Sequence, residues 1–521
     1  KVKTMKLKKY NIILLASAFT LLACDDYLSQ VPDNRANPQS PEAVQELLVS
    51  AYPETSYTFV ELMSDNVGDV GKWTMDYDRA QEEAYYWKDV SGDDVDTPDG
   101  FWDASYGAIA AANHALSIIE EAENPADYDA QKAEALLSRA YNHFMLASIF
   151  AKPYDPKTAK TDLGVPYVTT PENVPLRDYY RETLEKTYEL IEKDLLEGIK
   201  LANDNIYNNS TAGELAYKYH FTKSAAYAFA ARFYQYRGLS NNPENSLNEY
   251  GKNDWERVIF YADKVLYAEP AAQLRDWNGT YSSMSYSELE IAYSKAEQTP
   301  NIMLISQITL WGRYAMYRYK MTPSFVANVI QGLHPCPMGS SNSLSFPIFG
   351  QNILNHIPKF KEHFKYVSIN ATTGWPYVMF TAFTMDELLL NRAEAYIMTE
   401  DYTSALKDLN SYYSKRVDNY SSRTNTLTDA TIAKYKARSI VDPCYTLNDK
   451  QTLYLSALAD IRQIEFLEEG LRWFDVRRFN IEVTHMSYDE KTKDVLKKGD
   501  PRRVVQIPSQ ARSLGLTPNP R

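Results

Sequence analysis

Cysteine is scarce in this chain of 521 residues: three in all, at Cys24, Cys336 and Cys444. Cys24 ends an amino-terminal apolar run, so two are left for the body, and one pair at most is no disulfide framework. Cys336 and Cys444 either pair or stay separate as buried thiols. A surplus of basic residues is lacking too. Lys and Arg number 55 against 68 Asp and Glu, giving a net charge of −13 and a pI near 5.2. Nucleic acid is therefore excluded as a partner, because phosphate binding needs a basic face. No G-x-S-x-G, H-E-x-x-H or G-x-x-x-x-G-K-[ST] occurs, and the seven His do not cluster at metal-ligand spacings. The acids could supply a carboxylate pair for glycoside hydrolysis in any number of ways, but nothing places two of them in one pocket. The expectation is a binding protein, not an enzyme, with no metal and no cofactor.

What is present begins at the amino terminus. Lys6, Lys8 and Lys9 precede the largely apolar residues 11–22, and Leu21-Leu22-Ala23-Cys24 follows. The run is too short and wrongly flanked for a stable membrane span and reads as a secretory signal. Its end resembles a bacterial lipobox, in which Cys24 becomes the lipidated first residue. Residues 1–23 hold five lysines and no acid, so cleavage takes the charge from −13 to −18. Residues 24–38 read as a lipidated tether. The two acids after Cys24 resemble the export signal of surface lipoproteins of some Gram-negative bacteria. Residues 39–521 are read as one domain, opening on a helix with Ser40 at the N-cap and Pro41 at N1.

The body is organised around residues 385–416. Leu389, Ala393 and Tyr396, then Ala405, Leu409 and Tyr412, recur at helical spacing on either side of a Glu400-Asp401-Tyr402 turn. Small and large positions interlock across such a pair in the manner of a tetratricopeptide unit, which must stack on others to bury its face. Tyr227, Ala231 and Tyr234 repeat the pattern in the 222–267 segment, where Gly238 ends the first helix. Residues 129–202 form a pair split by a Pro-bearing loop, and residues 455–479 close the helical part. The fold class is thus mainly α, with four tetratricopeptide-like helix pairs and few short strands. Two loop-rich excursions interrupt it, at about 61–103 and 271–380. The many tyrosines, 41 against 19 Phe, suit either pair cores or surfaces that are both sticky and wet.

Six passages in order carry a resemblance: the lipobox at Cys24; the Trp102, Tyr106, Asn113 helix; Ser138-Arg139-Ala140-Tyr141 leading to Gly164-Val165-Pro166-Tyr167; Arg392-Ala393-Glu394-Ala395-Tyr396; the stretch from Arg462 to Arg478; and Ile507-Pro508 with Asn519-Pro520. The chain resembles the SusD/RagB family of nutrient-capturing outer-membrane lipoproteins. The resemblance implies a SusD-like helical fold. It implies an exterior-facing, lipid-anchored position on the outer membrane, and capture of an oligosaccharide that is handed to a SusC-like TonB-dependent transporter. Some members take peptides, which is the alternative; a glycoside hydrolase is the weakest reading.

A neutral glycan offers apolar ring faces and many hydroxyls, so its site needs aromatic platforms beside carboxylates, amides or Arg. The first excursion brings these types together at Asp69, Lys72, Trp73 and Asp76, with Asp65 and Asn66 before them. Trp73, with no apolar neighbour to bury against, reads either as a stacking platform or as loop packing. Trp277, beside Asp276 and Asn278, and Trp311, beside Arg313 and Tyr314, are further candidates. Trp87 is read as a loop anchor, Trp102 as core, and Trp473 as structural within a motif where Arg472 and Asp475 make a buried contact. The acids Asp93, Asp94, Asp96 and Asp99 invite a calcium reading, but their spacing lacks the closing Glu of a helix-loop-helix site and a solvated loop is expected.

Overall fold

The computed structural model describes residues 40–71, 78–171, 179–207, 215–239, 253–338, 343–350, 354–368 and 370–521. Cys24, Lys72, Trp73 and Asp76 lie outside the described residues. The chain opens on α1 (Pro41–Leu48), where the Ser40 hydroxyl accepts from the Ala43 N–H as the N-cap. It continues through β1 (Gly68–Asp69), α2 (Arg79–Tyr85), α3 (Pro98–Glu121), α4 (Asp129–Phe150), α5 (Leu184–Leu201), α6 (Lys223–Arg237), α7 (Asp254–Asp263) and α8 (Tyr286–Tyr293). Strands β2 (Asn301–Ile308), β3 (Tyr319–Lys320), β4 (His363–Tyr366) and β5 (Gly374–Thr384) follow. Then come α9 (Met385–Met398), α10 (Tyr402–Tyr413), α11 (Asp449–Glu465), α12 (Leu471–Arg478) and the hairpin of β6 (Val483–Met486) and β7 (Lys493–Leu496).

Four antiparallel pairs, α4/α5, α6/α7, α9/α10 and α11/α12, stack into the scaffold, with α9 touching α6, α7 and α11. Close approach rests on small residues: Ala393 and Ala405 are fully buried between α9 and α10. A Cβ on Gly198 of α5 would stand 2.7 Å from Leu137 of α4. Gly238, at φ 59°, turns the chain out of α6.

Each pair also carries the same clamp, an Arg on the first helix and an Asp on the second. Arg139 meets Asp194 at 2.7 Å, Arg237 meets Asp254 at 2.9 Å, Arg392 meets Asp408 at 2.7 Å and Arg462 meets Asp475 at 2.8 Å. All are buried, where removing one partner of an ion pair costs about 3–5 kcal/mol. The expected Arg472–Asp475 contact is not formed. Asp475 is taken by Arg462 and Arg478, and Arg472 turns instead to Asp65 at 2.7 and 2.8 Å.

The first excursion is more built than its composition suggests. The 3-10 turn Thr58–Met63 is wholly buried, and the Glu61 carboxylate accepts from the Glu468 and Gly470 N–H groups, fastening this segment to the turn before α12. Trp87 is buried with its indole N–H on the Met63 carbonyl, and Trp102 and Trp473 are core. Asp96 is no free member of an acidic loop, since its carboxylate accepts from the Thr309 hydroxyl and the Leu310 N–H. Cys336 and Cys444 are both free thiols. Among the described residues no group of His, Cys, Asp and Glu is arranged to hold a metal, and no helix is long and apolar enough to cross a membrane.

The second excursion holds an antiparallel sheet in the order β2-β5-β4. β5 runs straight into α9, so the sheet is rooted in the scaffold while β4 and the start of β5 reach beyond the core.

Candidate functional site

Alternation along β5 decides which rings meet solvent. Val378, Phe380 and Ala382 point into the core, so Trp375, Tyr377 and Met379 share the opposite face. Register with β4 places His363 opposite Tyr377 and Lys365 opposite Trp375 on that same face. The His363 and Tyr377 rings stack with centroids 5.3 Å apart. On β2, Ser306 lies opposite Met379.

This face floors an open groove of about 610 Å³ lined by Lys361, His363, Tyr377 and Met379, with Tyr219 and the residues 294–297 as walls. Trp375 and Lys365 continue the face at the outer end of the hairpin that β4 and β5 form. Trp375 is 54% exposed, whereas the other six described tryptophans are buried. Phe364 and Tyr366, also exposed, stand on the reverse face of the hairpin in edge-to-face contact at 5.0 Å.

The electrostatics of the groove are those of a half-wet wall. Next to Tyr219 but outside the lining, Lys218 is buried with its ammonium on the Gln298 carbonyl, and burial, helped by the neighbouring Arg275, draws it down to about 8, with Glu297 opposing. Burial and then Glu297 push the Tyr219 phenol up. Lys361 is held by Glu290 at 2.5 Å and Arg313 by Glu362 at 2.6 and 2.9 Å. Ring faces, a phenol, an imidazole and ammonium groups together suit a polyhydroxylated ligand with one apolar face.

The sequence candidates are placed elsewhere. Trp277 is fully buried among Tyr281, Tyr293 and Phe346, pinned there because Asn278 donates to the Ser414 and Val417 carbonyls at the end of α10. Trp311 is 2% exposed, its indole N–H donating to the Glu468 carbonyl, and Tyr314 is buried against it with centroids 4.5 Å apart. None of these three is a platform. Asp69 is spent on structure: its carboxylate accepts two bonds from Arg318 at 2.7 Å and the N–H groups of Gly71 and Tyr488. None of the described candidates lines the groove; Arg313 is paired to Glu362, just before β4.

Trp375 escaped the sequence reading because both phases of residues 374–383 carry large apolar side chains. The signal available was Gly374 before it and Pro376 after it, the marks of a strand end at a sheet edge.

A second cleft, of about 490 Å³, is lined by Tyr154, Tyr236, Tyr445, Arg477 and Arg503 among others, with no tryptophan.

Comparison with known proteins agrees with this architecture. Residues 26–235 match the SusD-like family model described as "Starch-binding associating with outer membrane", and residues 351–513 match the SusD/RagB model described as "SusD family". No curated protein matches the chain by sequence. A SusD superfamily protein from Bacteroides fragilis superimposes with a TM-score of 0.63 at 18% identity, over 92% of this chain and 99% of the other. One from Bacteroides thetaiotaomicron gives 0.62 at 16% identity, over 92% and 100%. A "Laminarin binding SusD-like protein" gives 0.55 at 15% identity, over 92% and 98%. With two family models matching in order on a shared fold, the chain belongs to the SusD/RagB family.

Proposed function

We propose that this protein captures an oligosaccharide at the cell surface and delivers it to a SusC-like TonB-dependent transporter in the outer membrane, to which it is anchored through lipidated Cys24. The observation that carries the reading is Trp375, a half-exposed indole on a sheet face that continues into a groove with Tyr377 and Tyr219. An exposed ring of this size is otherwise a liability, and its use is to cover an apolar ring face. The laminarin-binding neighbour supports a glycan as the ligand class. The protein acts by binding alone and needs no cofactor. Lys72, Trp73 and Asp76 are proposed as a second contact surface for the same ligand.

A peptide is the second reading, favoured by β4, the outer strand of its sheet with all four residues exposed, which offers an edge for strand addition. Calorimetry and affinity electrophoresis on the full chain in detergent, against plant, host and microbial glycans and a peptide pool, separate the two. Trp375→Ala should lose glycan affinity at least tenfold, since truncating an interfacial anchor costs about 2 kcal/mol or more, while the melting temperature stays put. Trp73→Ala measured in parallel reads the second surface. Peptide binding indifferent to Trp375→Ala would replace the glycan reading.

A further inference from the structure

Resting on the glycan reading, we infer that the ligand is an acidic oligosaccharide, whose anionic group is taken by Lys365 while its sugar ring lies on Trp375. The register puts these side chains directly opposite each other on one face, and the pair Tyr377 and His363 repeats the arrangement one step inward. Opposed residues on one face of an antiparallel pair have Cβ atoms about 4.5–5.5 Å apart. That is the reach between a stacked sugar ring and a charged group carried on it.

The charge around the groove departs from that of the whole. In a chain of net charge −13, the groove and the β4–β5 hairpin carry Lys295, Lys361 and Lys365. Two local acids are consumed: Glu290 holds Lys361 and Glu362 holds Arg313. Among the described residues Lys365 and Lys295 make no ion pair, and both are exposed. Glu297 is, among the described residues, the one acid lining the groove. A neutral glycan would leave both ammonium groups unused, whereas a carboxylate or sulfate on the ring accepts from Lys365 in a charge-assisted bond. Lysine serves as a compact point charge, so it reads the anion rather than a fixed planar geometry.

The test is calorimetry of the full chain in detergent with three probes: galacturonic acid oligosaccharides, the same oligosaccharides with their carboxylates methyl-esterified, and sulfated galactan oligosaccharides, which carry sulfate and no carboxylate. Laminarin and starch oligosaccharides serve as neutral references. An acidic probe should bind at least tenfold tighter than the neutral ones, and more weakly as salt rises, because exposed charges are screened. The two acidic probes tell a carboxylate from a sulfate source, and the ester removes charge from an otherwise unchanged chain. Lys365→Ala should lower acidic affinity about tenfold and abolish its salt dependence while the melting temperature stays unchanged, and Lys365→Arg should restore both. Binding of neutral glycans alone, abolished by Trp375→Ala, would overturn this inference and leave the proposed function standing. Binding to no glycan of either kind would overturn both.

Discussion

Trp277 and Trp375 belong to the same loop-rich stretch, and each follows or precedes residues of turn and polar character. One is sealed among three aromatic rings and the other stands in solvent. Neighbours in sequence do not separate them. Trp277 is buried because its loop is stapled to the scaffold by Asn278 and by the Asp276–Lys415 ion pair at 2.9 Å. Trp375 is exposed because the sheet outruns the core, leaving one face of β5 uncovered. A ring becomes structure or site according to what the chain has left to pack on it.

The comparison breaks most visibly through stability. Trp277→Ala should cost about 3–5 kcal/mol, the usual penalty for emptying a large buried site, read as a fall in denaturant midpoint. If it left stability intact while weakening glycan binding, the two tryptophans would have changed places. The next effect is on the scaffold under acid. The buried His143 ring donates from Nδ1 to the Arg139 carbonyl and accepts at Nε2 from the Val168 N–H, a neutral form with no room for a second proton. Burial draws its pKa down to about 3. The unfolded chain takes up that proton near pH 6.5 and the fold does not, so stability is present above pH 6.5 and is lost as pH falls from there toward 3. At pH 5 the loss is about 2 kcal/mol. His143→Gln should flatten this slope between pH 6.5 and 4.5 in unfolding curves. The smallest effect belongs to the hairpin's foot. Arg313 and Glu362 are both partly exposed, and such pairs are worth about 0.2–1 kcal/mol. Glu362→Gln should shift the melting temperature by no more than that implies, and a larger fall would show the hairpin to be part of the cooperative core.

The helical scaffold was legible in the sequence because its signals are local. Ala393 and Ala405 at matched steps, Gly238 after a periodic run and Ser40-Pro41 before one each report a backbone state or a close approach through residue type alone. The passages that carried the family resemblance proved to be fasteners: Arg139, Arg392, Arg462 and Arg478 sit in buried ion pairs, and Asn519 donates to the Phe150 and Val505 carbonyls. That is why they marked the fold and were silent on the ligand. The acids of residues 61–103 misled for the related reason that Asp65 and Asp69 look like ligand contacts until their partners Arg472 and Arg318 arrive from elsewhere in the chain.

The sequence by itself determined a mainly α chain of stacked helix pairs and its family, because periodicity, small-residue spacing and short ordered motifs act over a few residues. Only the tertiary structure decided which tryptophan faces water, which carboxylates are spent, and that Lys365 stands opposite Trp375. Those facts depend on strand register and on partners from distant parts of the chain, and a one-residue slip in register would send every side chain of β5 to the other face.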